Sequence, residues 1–325
     1  MTETAPTAGD APGDAARLRC AVIGVGHMGR LHAQKYAAMP DCELVAVVDI
    51  DPATAASVAQ EFGTTALADY TGLLGQVDAV SIAVPTSIHH QVASDFLAAG
   101  CHVLIEKPIA TTVAEADALI ALARQHGCTL QVGHLERFNA ALMAFDLADS
   151  SPRFVEATRL SQFNTRANDV SVVLDLMIHD IDLILELVDA EVERIDAVGS
   201  RVLTDDIDIA NARLVFANGC VANVTASRVS LKVERKLRMF LQDTYVSVDL
   251  RNLVAQRHRK GAGTTAQGAP EVVSENRAFE RGDALATQLR HFVTCIRTER
   301  EQLSSAIAGR RALAVAAQIG ELVGR

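Results

Sequence analysis

The chain has 325 residues, a formal net charge of -10, 49% hydrophobic residues, 4% aromatics and no Trp. That length accommodates two domains with a substantial core. The acidic balance, without any dense Lys/Arg block, excludes nucleic acid as the main partner, and the shortage of aromatics excludes a base-stacking platform.

Residues 1–17, rich in Ala, Thr, Pro, Gly and Asp, read as a flexible tail. They have neither the basic start nor the apolar centre of a secretory leader, and no apolar run in the chain reaches membrane-spanning length. Cys20, Cys42, Cys101, Cys128, Cys220 and Cys295 are scattered with no C-x-x-C pair. They read as reduced thiols of a cytoplasmic protein.

From Leu18 the pattern alternates strand and helix. LRCAVIGVG, CELVAVVDID, DAVSIAVPT, HVLIEKP and TLQVGH read as short buried strands, with helical stretches between them. This grammar predicts a parallel sheet with helices on both faces over residues 18–137. Beyond residue 138 one long helix, SVVLDLMIHDIDLILELVD, precedes several strand-like runs. The Asn-Gly pair in FANGCV, flanked by alternating residues, is a strong hairpin signal. Residues 138–325 therefore read as a second domain on a large, mostly antiparallel open sheet, closed by two helices. The polar, Gly-rich stretch 256–281 is expected to be a mobile loop.

The first strand runs into Gly24-Val25-Gly26-His27-Met28-Gly29, a G-x-G-x-x-G between a strand and a helix. Gly24 permits a tight turn, Gly26 admits a pyrophosphate against the backbone, and Gly29 allows close helix packing. Asp49 ends the next strand about 20 residues beyond Gly29, where an acid that binds a ribose hydroxyl belongs. An acid there repels a 2′-phosphate, and Ile50 supplies no cation, so NAD is expected rather than NADP. This identifies a Rossmann dinucleotide-binding domain. Ligands of such sheets bind outside the carboxyl ends of the strands. Val84-Pro85-Thr86, Glu106-Lys107-Pro108 and Gly133-His134 lie at those ends. Lys107 there is a functional candidate; elsewhere it would read as an ordinary surface lysine.

The segment VVLDLMIHDIDLILEL, residues 172–187, sets Asp175, His179, Asp180, Asp182 and Glu186 among aliphatic residues. A buried charge without a partner is costly. On a helix Asp175 and His179 share a face, with Asp182 close to it and Asp180 about 100° away. One reading is structural: a helix acid paired with a satisfied core histidine. A metal set of Asp175, His179 and Asp182 is weaker, because catalytic zinc normally draws two His or Cys ligands. The third reading is alcohol oxidation, with His179 as base, Asp175 orienting its ring and Lys107 steadying alkoxide character.

GVGHMGRLHAQ, VPTSIHH, VLIEKPIA and the D-x-x-x-H of LDLMIHDIDL together resemble the Gfo/Idh/MocA oxidoreductase family, over nearly the whole chain from Leu18. The resemblance implies that Lys107 contacts nicotinamide and substrate, and that Asp175 and His179 bind and deprotonate a sugar or inositol hydroxyl. It implies cofactor contacts from Gly24, Gly26, His27, Met28, Gly29, Asp49, Val84, Pro85, Thr86, His89, Glu106 and Lys107. It also implies a homodimer or homotetramer assembled through the open sheet. VGHLERFNAA and NGCVANVTASRVS are similar, more narrowly, to the branch that oxidises the 3-hydroxyl of UDP-N-acetylglucosamine. In that branch the ketone passes to a pyridoxal-phosphate aminotransferase that makes the 3-amino sugar of some lipid A molecules. Ala140 stands where related sequences usually have Pro.

Candidate substrate residues are His134, Glu136, Arg137 and Asn139, clustered past a strand end, with Arg159 and Arg166 flanking the next strand. Arginine suits a diphosphate, although each could equally be a solvated surface charge. The alternatives are a dehydrogenase of inositol or another free polyol, and a non-catalytic NAD-sensing regulator. The latter has no need for Lys107, Asp175 and His179 together.

Overall fold

In the computed structural model, residues 16–145, 151–163 and 171–324 are described. The first sheet has six parallel strands: β1 (Leu18–Ile23), β2 (Cys42–Val48), β3 (Thr65–Leu67), β4 (Ala79–Ile82), β5 (His102–Ile105) and β6 (Leu130–Val132). Their order is β3-β2-β1-β4-β5-β6, so the direction in which strands are added to the sheet reverses between β1 and β4 and a crevice opens there. Strand β3 escaped the sequence reading. Its three residues, TAL, are half exposed and too short to show a period.

Helices α1 (His27–Ala38), α2 (Pro52–Phe62), α3 (His89–Ala98) and α4 (Val113–His126) cover this sheet. Local chemistry sets their ends. Asp51 caps α2 by accepting from the Ala53 and Thr54 amides, with Pro52 at the first turn. Thr112 and Glu115 form a reciprocal capping box on α4, which stops at Gly127 in the left-handed region.

The second sheet has eight strands in the order β14-β13-β12-β11-β7-β10-β9-β8. They are β7 (Phe154–Leu160), β8 (Val192–Ser200), β9 (Ile209–Phe216), β10 (Val221–Ser227), β11 (Glu234–Leu241), β12 (Thr244–Asp249), β13 (Val254–Thr264) and β14 (Pro270–Ala278). All its pairs are antiparallel except β7 with β10. The Asn-Gly hairpin forms as expected, Asn218-Gly219 joining β9 to β10 with Gly219 at φ 82. Alternate residues of β7 and β9 are buried, so one face of the sheet carries the core.

Two expectations are corrected. Residues 256–281 are mostly a hairpin, β13 paired with β14, and not a loop. The ribbon lies at the sheet's edge, largely exposed on both faces, so it shows no apolar alternation; Glu275 instead holds Arg257 and Arg259 across it. The long helix is also not uniform. Val173–Met177 is a π-turn, in which the Ile178 amide donates to the Val173 carbonyl, and it leads into α5 (Ile178–Val188). Ile178, Ile181, Ile184 and Leu185 of α5 are buried against the second sheet's core. Each such side chain contributes about 1.5–3 kcal/mol by leaving water.

Helices α6 (Ala284–Thr298) and α7 (Ser304–Val323) tie the halves together. Leu289 and Phe292 of α6 pack with Leu18 and Tyr36, back on the first domain. On α7, Ala306 and Leu313 join the first domain's core, whereas Ala316 and Ile319 join the second's. The first sheet's carboxyl ends and the π-turn thus face one another across a cleft.

Candidate active site

The glycine loop follows β1. Gly24 sits at φ +81, and a Cβ on it would meet the Ala83 carbonyl oxygen at 2.8 Å. A Cβ on Gly29 would stand 1.8 Å from the Gly24 carbonyl oxygen, whereas Gly26 faces open space. The loop therefore admits no side chain at its ends and leaves room over its middle, as a backbone cradle for a pyrophosphate requires. Asp49, just past β2, accepts from the Val25 amide at 2.9 Å and the Asp51 amide at 3.0 Å. Its carboxylate is thereby held at the loop, and Ile50 beside it is 93% exposed. These residues fit a dinucleotide carrying a free ribose 2′-hydroxyl.

The cleft between the domains has a volume of about 1280 Å³ and is lined by Met28, Glu106, Lys107, Glu136, Asn139, Arg159, Asp175 and His179, among others. Lys107 Nζ donates to the Asp175 carbonyl oxygen at 2.8 Å and lies 3.3 Å from Asp175 Oδ1. No hydrogen bond joins Asp175 to His179 among the described residues, and His179 Nδ1 has no partner. The expected orienting contact between them is thus replaced by one from Asp175 to Lys107, because the π-turn lies between an ideal helix and that pairing. The His179 pKa is driven well below its ordinary value, first by burial and then by the cations Arg159 and Lys107. The ring is only partly covered, since it reaches the cleft, so solvent there moderates the burial effect. The two cations push the same way, and the imidazole is neutral, able to accept a proton.

Residues 18–134 match the model of the Gfo/Idh/MocA oxidoreductase family with an NAD-binding Rossmann fold, and residues 131–243 match a C-terminal domain model of the same family. The UDP-N-acetylglucosamine 3-dehydrogenase of Acidithiobacillus ferrooxidans is 44% identical over 303 residues, covering 93% of this chain and 96% of that one. The chain belongs to the Gfo/Idh/MocA oxidoreductase family. A solved structure of the Acidithiobacillus ferrooxidans enzyme superposes with a TM-score of 0.89 at 43% identity, covering 95% of this chain and 98% of that one. The scyllo-inositol 2-dehydrogenase (NAD(+)) of Bacillus subtilis is 27% identical, covering 86% of each chain. At 20% identity and a TM-score of 0.79, a scyllo-inositol dehydrogenase of Lactobacillus casei shares the fold; the alignment covers 95% of this chain and 97% of that one.

The charges of the apolar helix of this family member are now accounted for. Asp180 holds Arg159 through two hydrogen bonds of 3.0 and 2.8 Å. Burial pushes the Asp180 carboxyl up and Arg159 opposes it. Burial acts to lower the Arg159 pKa, yet Asp180 and Glu136 outweigh it. The paired geometry suits a carboxylate, which only accepts, so the ionised pair stands. Asp182 takes Arg137 at 2.6 and 2.7 Å, and Glu186 takes the same guanidinium at 3.0 Å. Asp182 is therefore committed to Arg137 and unavailable as a metal ligand.

The substrate candidates separate accordingly. Glu136, Asn139 and Arg159 line the cleft. Asn139 is fixed by the Leu250 carbonyl and the Ala141 amide, and Arg159 lies inside β7 instead of flanking a strand. Arg137 is neutralised by two carboxylates, and His134 is 2% exposed beside Asp182, 3.6 Å away. Arg166 lies outside the described residues. Among the cofactor candidates, His27 and Met28 open α1, and Val84, Pro85 and Thr86 follow β4 beside the glycine loop. His89 is 1% exposed, its ring nitrogens 2.9 Å from the Val84 and Pro108 carbonyls. It braces the two turns and keeps no nitrogen for a ligand.

Sequence reasoning missed a buried chain of hydroxyls behind Glu106. Tyr36 Oη lies 2.9 Å from Ser81 Oγ, Ser81 Oγ 3.0 Å from His32 Nδ1, and His32 Nε2 3.1 Å from Glu106 Oε1. His32 is eight residues past Gly24 on α1, and only its place in GRLHAQ hinted at it. It missed Arg235, Arg251 and Arg281 as well, which line the cleft from β11, the turn after β12 and the segment before α6.

Proposed function

We propose that this protein oxidises the 3-hydroxyl of UDP-N-acetylglucosamine to the ketone with NAD⁺. The observation that carries the reading is that Lys107, Asp175 and His179 meet on one cleft beside the dinucleotide loop. The substrate is suggested by the 44% identical relative, a UDP-N-acetylglucosamine 3-dehydrogenase.

Bound NAD⁺ supplies the hydride acceptor for the sugar's C3–H. Neutral His179 takes the proton of the 3-hydroxyl, so that one proton and one hydride leave the alcohol and a ketone remains. Lys107 donates to the oxygen as it gains alkoxide character. Asp175 holds the lysine at the reacting oxygen and so acts on the substrate through it.

The same reading extends to setting. The ketone would be consumed by a pyridoxal-phosphate aminotransferase for 3-amino-sugar and lipid A synthesis, in the cytoplasm. No helix among the described residues is long and apolar enough to cross a membrane. Assembly into a homodimer or homotetramer is supported by the outer face of the second sheet. There Phe154, Phe240, Tyr245 and His258 stand in direct register across β7, β11, β12 and β13, with ring centroids 5.5, 5.0 and 5.8 Å apart.

The test is NADH formation from UDP-N-acetylglucosamine and NAD⁺ with a 3-keto-sugar aminotransferase and its amino donor present to draw off the ketone. NADH that requires both the sugar and Lys107 supports the reading. No NADH from the nucleotide sugar, with NADH from inositol, replaces it by the free-polyol alternative.

A further inference from the structure

Arg159 and Arg235 are cross-strand partners on β7 and β11, two like charges side by side. Glu136 lies between them, 2.9 Å from Arg159 and 3.2 Å from Arg235, and Asp180 takes the far side of Arg159. Each cleft carboxylate already has a polar partner in the fold. Asp175 faces Lys107, Glu106 faces His32, and Asp283 faces Lys35 at 2.8 Å. Two cleft cations remain without a carboxylate partner among the described residues: Arg251 and Arg281. Arg251 is not loose, because its Nη1 donates to the Val233 carbonyl at 2.9 Å, which anchors one arm and leaves the rest of the fork free.

We propose that Arg251 and Arg281 form the subsite for the diphosphate of a nucleotide-linked sugar. The proposal rests on the nucleotide-sugar reading above and names the residues that would enforce it. A diphosphate diester carries two negative charges, one per phosphate, which equals the uncompensated charge of these arginines. The planar guanidinium fork suits phosphate oxygens better than an ammonium does. A free polyol has no charge to place there. The cleft, at about 1280 Å³, exceeds the roughly 300–1,000 Å³ usual for one small ligand, so it has space for a nicotinamide, a sugar and a nucleotide. Arg137 and Arg159, the sequence candidates for this role, are neutralised by acids of α5.

The experiment is calorimetric titration of the NAD-saturated enzyme with UDP, and with UMP as a control lacking one phosphate. Wild type is compared with Arg251→Met, Arg281→Met and the double variant, at low and high salt. Each single change should weaken UDP on the order of tenfold and the double change further. The salt dependence of UDP binding should shrink with each arginine removed. UMP should bind wild type more weakly and lose less. NAD⁺ titration of each variant shows that the fold is kept, and Arg251→Lys and Arg281→Lys, which keep the charge without the fork, should fall between. UDP affinity within about twofold of wild type in the double variant would overturn the subsite while leaving the nucleotide-sugar reading intact. Wild type that ignores UDP altogether would overturn both.

Discussion

Lys107 is tied to Asp175 twice, through the backbone carbonyl at 2.8 Å and the carboxylate at 3.3 Å. The π-turn at Val173–Met177 presents both oxygens to the end of β5, and π-turns of this kind recur at functional sites. The lysine is thus preorganised, its charge aimed into the cleft before any substrate arrives. Replacing Lys107 with Met should cost about 10²–10³ in kcat, the usual loss for one donor to a developing oxyanion. NAD⁺ affinity, measured by fluorescence titration, should change little. A variant that keeps near-normal kcat would remove Lys107 from the chemistry.

The pH profile should report His179. Its pKa lies below the ordinary 6.5, and the base must be neutral to accept a proton. The acid limb of kcat/KM for alcohol oxidation should therefore fall below pH 6.5. Lys107→Met removes one of the cations that depress the pKa, so the His179 ring resonance should titrate at higher pH in that variant. An unchanged NMR titration would mean that burial and the remaining cations, Arg159 first among them, set the value without Lys107.

Acid stability follows from the same direction. His134 and His179 both have pKa values lowered from 6.5, with burial as the first cause. The unfolded chain then binds more protons than the folded one just below pH 6.5, so stability must decline as pH falls through that point. Urea midpoints measured from pH 8 to 5 should drop below about pH 6.5, before most carboxylates titrate. A flat midpoint over that interval would contradict the burial of these rings.

Much of the site was legible because its residues sit at strand ends that a glycine motif locates. Gly24, Asp49 and Lys107 needed only the strand pattern and the motif spacing. What escaped depends on distant partners. The sequence places Asp182 near the His179 face, yet the pairing with Arg137 comes from a turn 45 residues earlier. Arg251 and Arg281 have no local signature, since both are exposed arginines outside helix and strand, and only the fold brings them to the edge of the cleft. The β13–β14 ribbon escaped for a related reason: its strands are held by cross-strand charges instead of a buried face.

The Arg159–Asp180 pair separates structural from catalytic roles. Both side chains are almost fully buried, so removing one leaves the other charged without its partner. Asp180→Leu should destabilise the fold by about 3–5 kcal/mol. Adding Arg159→Met should recover part of that loss, because the unpaired guanidinium is then gone, although Glu136 would keep only Arg235. Chemical denaturation of the two single variants and the double variant measures the coupling. Simple additivity would show that the pair does not act as a unit.

The aromatic row on the outer sheet makes the last expectation. Phe240 is 37% exposed and lies between Phe154 and Tyr245, tilted against both rings. A row of rings in register across four strands, with polar neighbours such as Arg238 and Glu156, suits a second copy laid over the sheet. Phe240→Glu would put a charge among those rings. Light scattering should then show wild type as a multimer and the variant shifted to a smaller species, with the unfolding midpoint of the variant protomer little changed. A monomeric wild type would mean that these rings stabilise only their own sheet, by about 0.2–1 kcal/mol for each cross-strand pair.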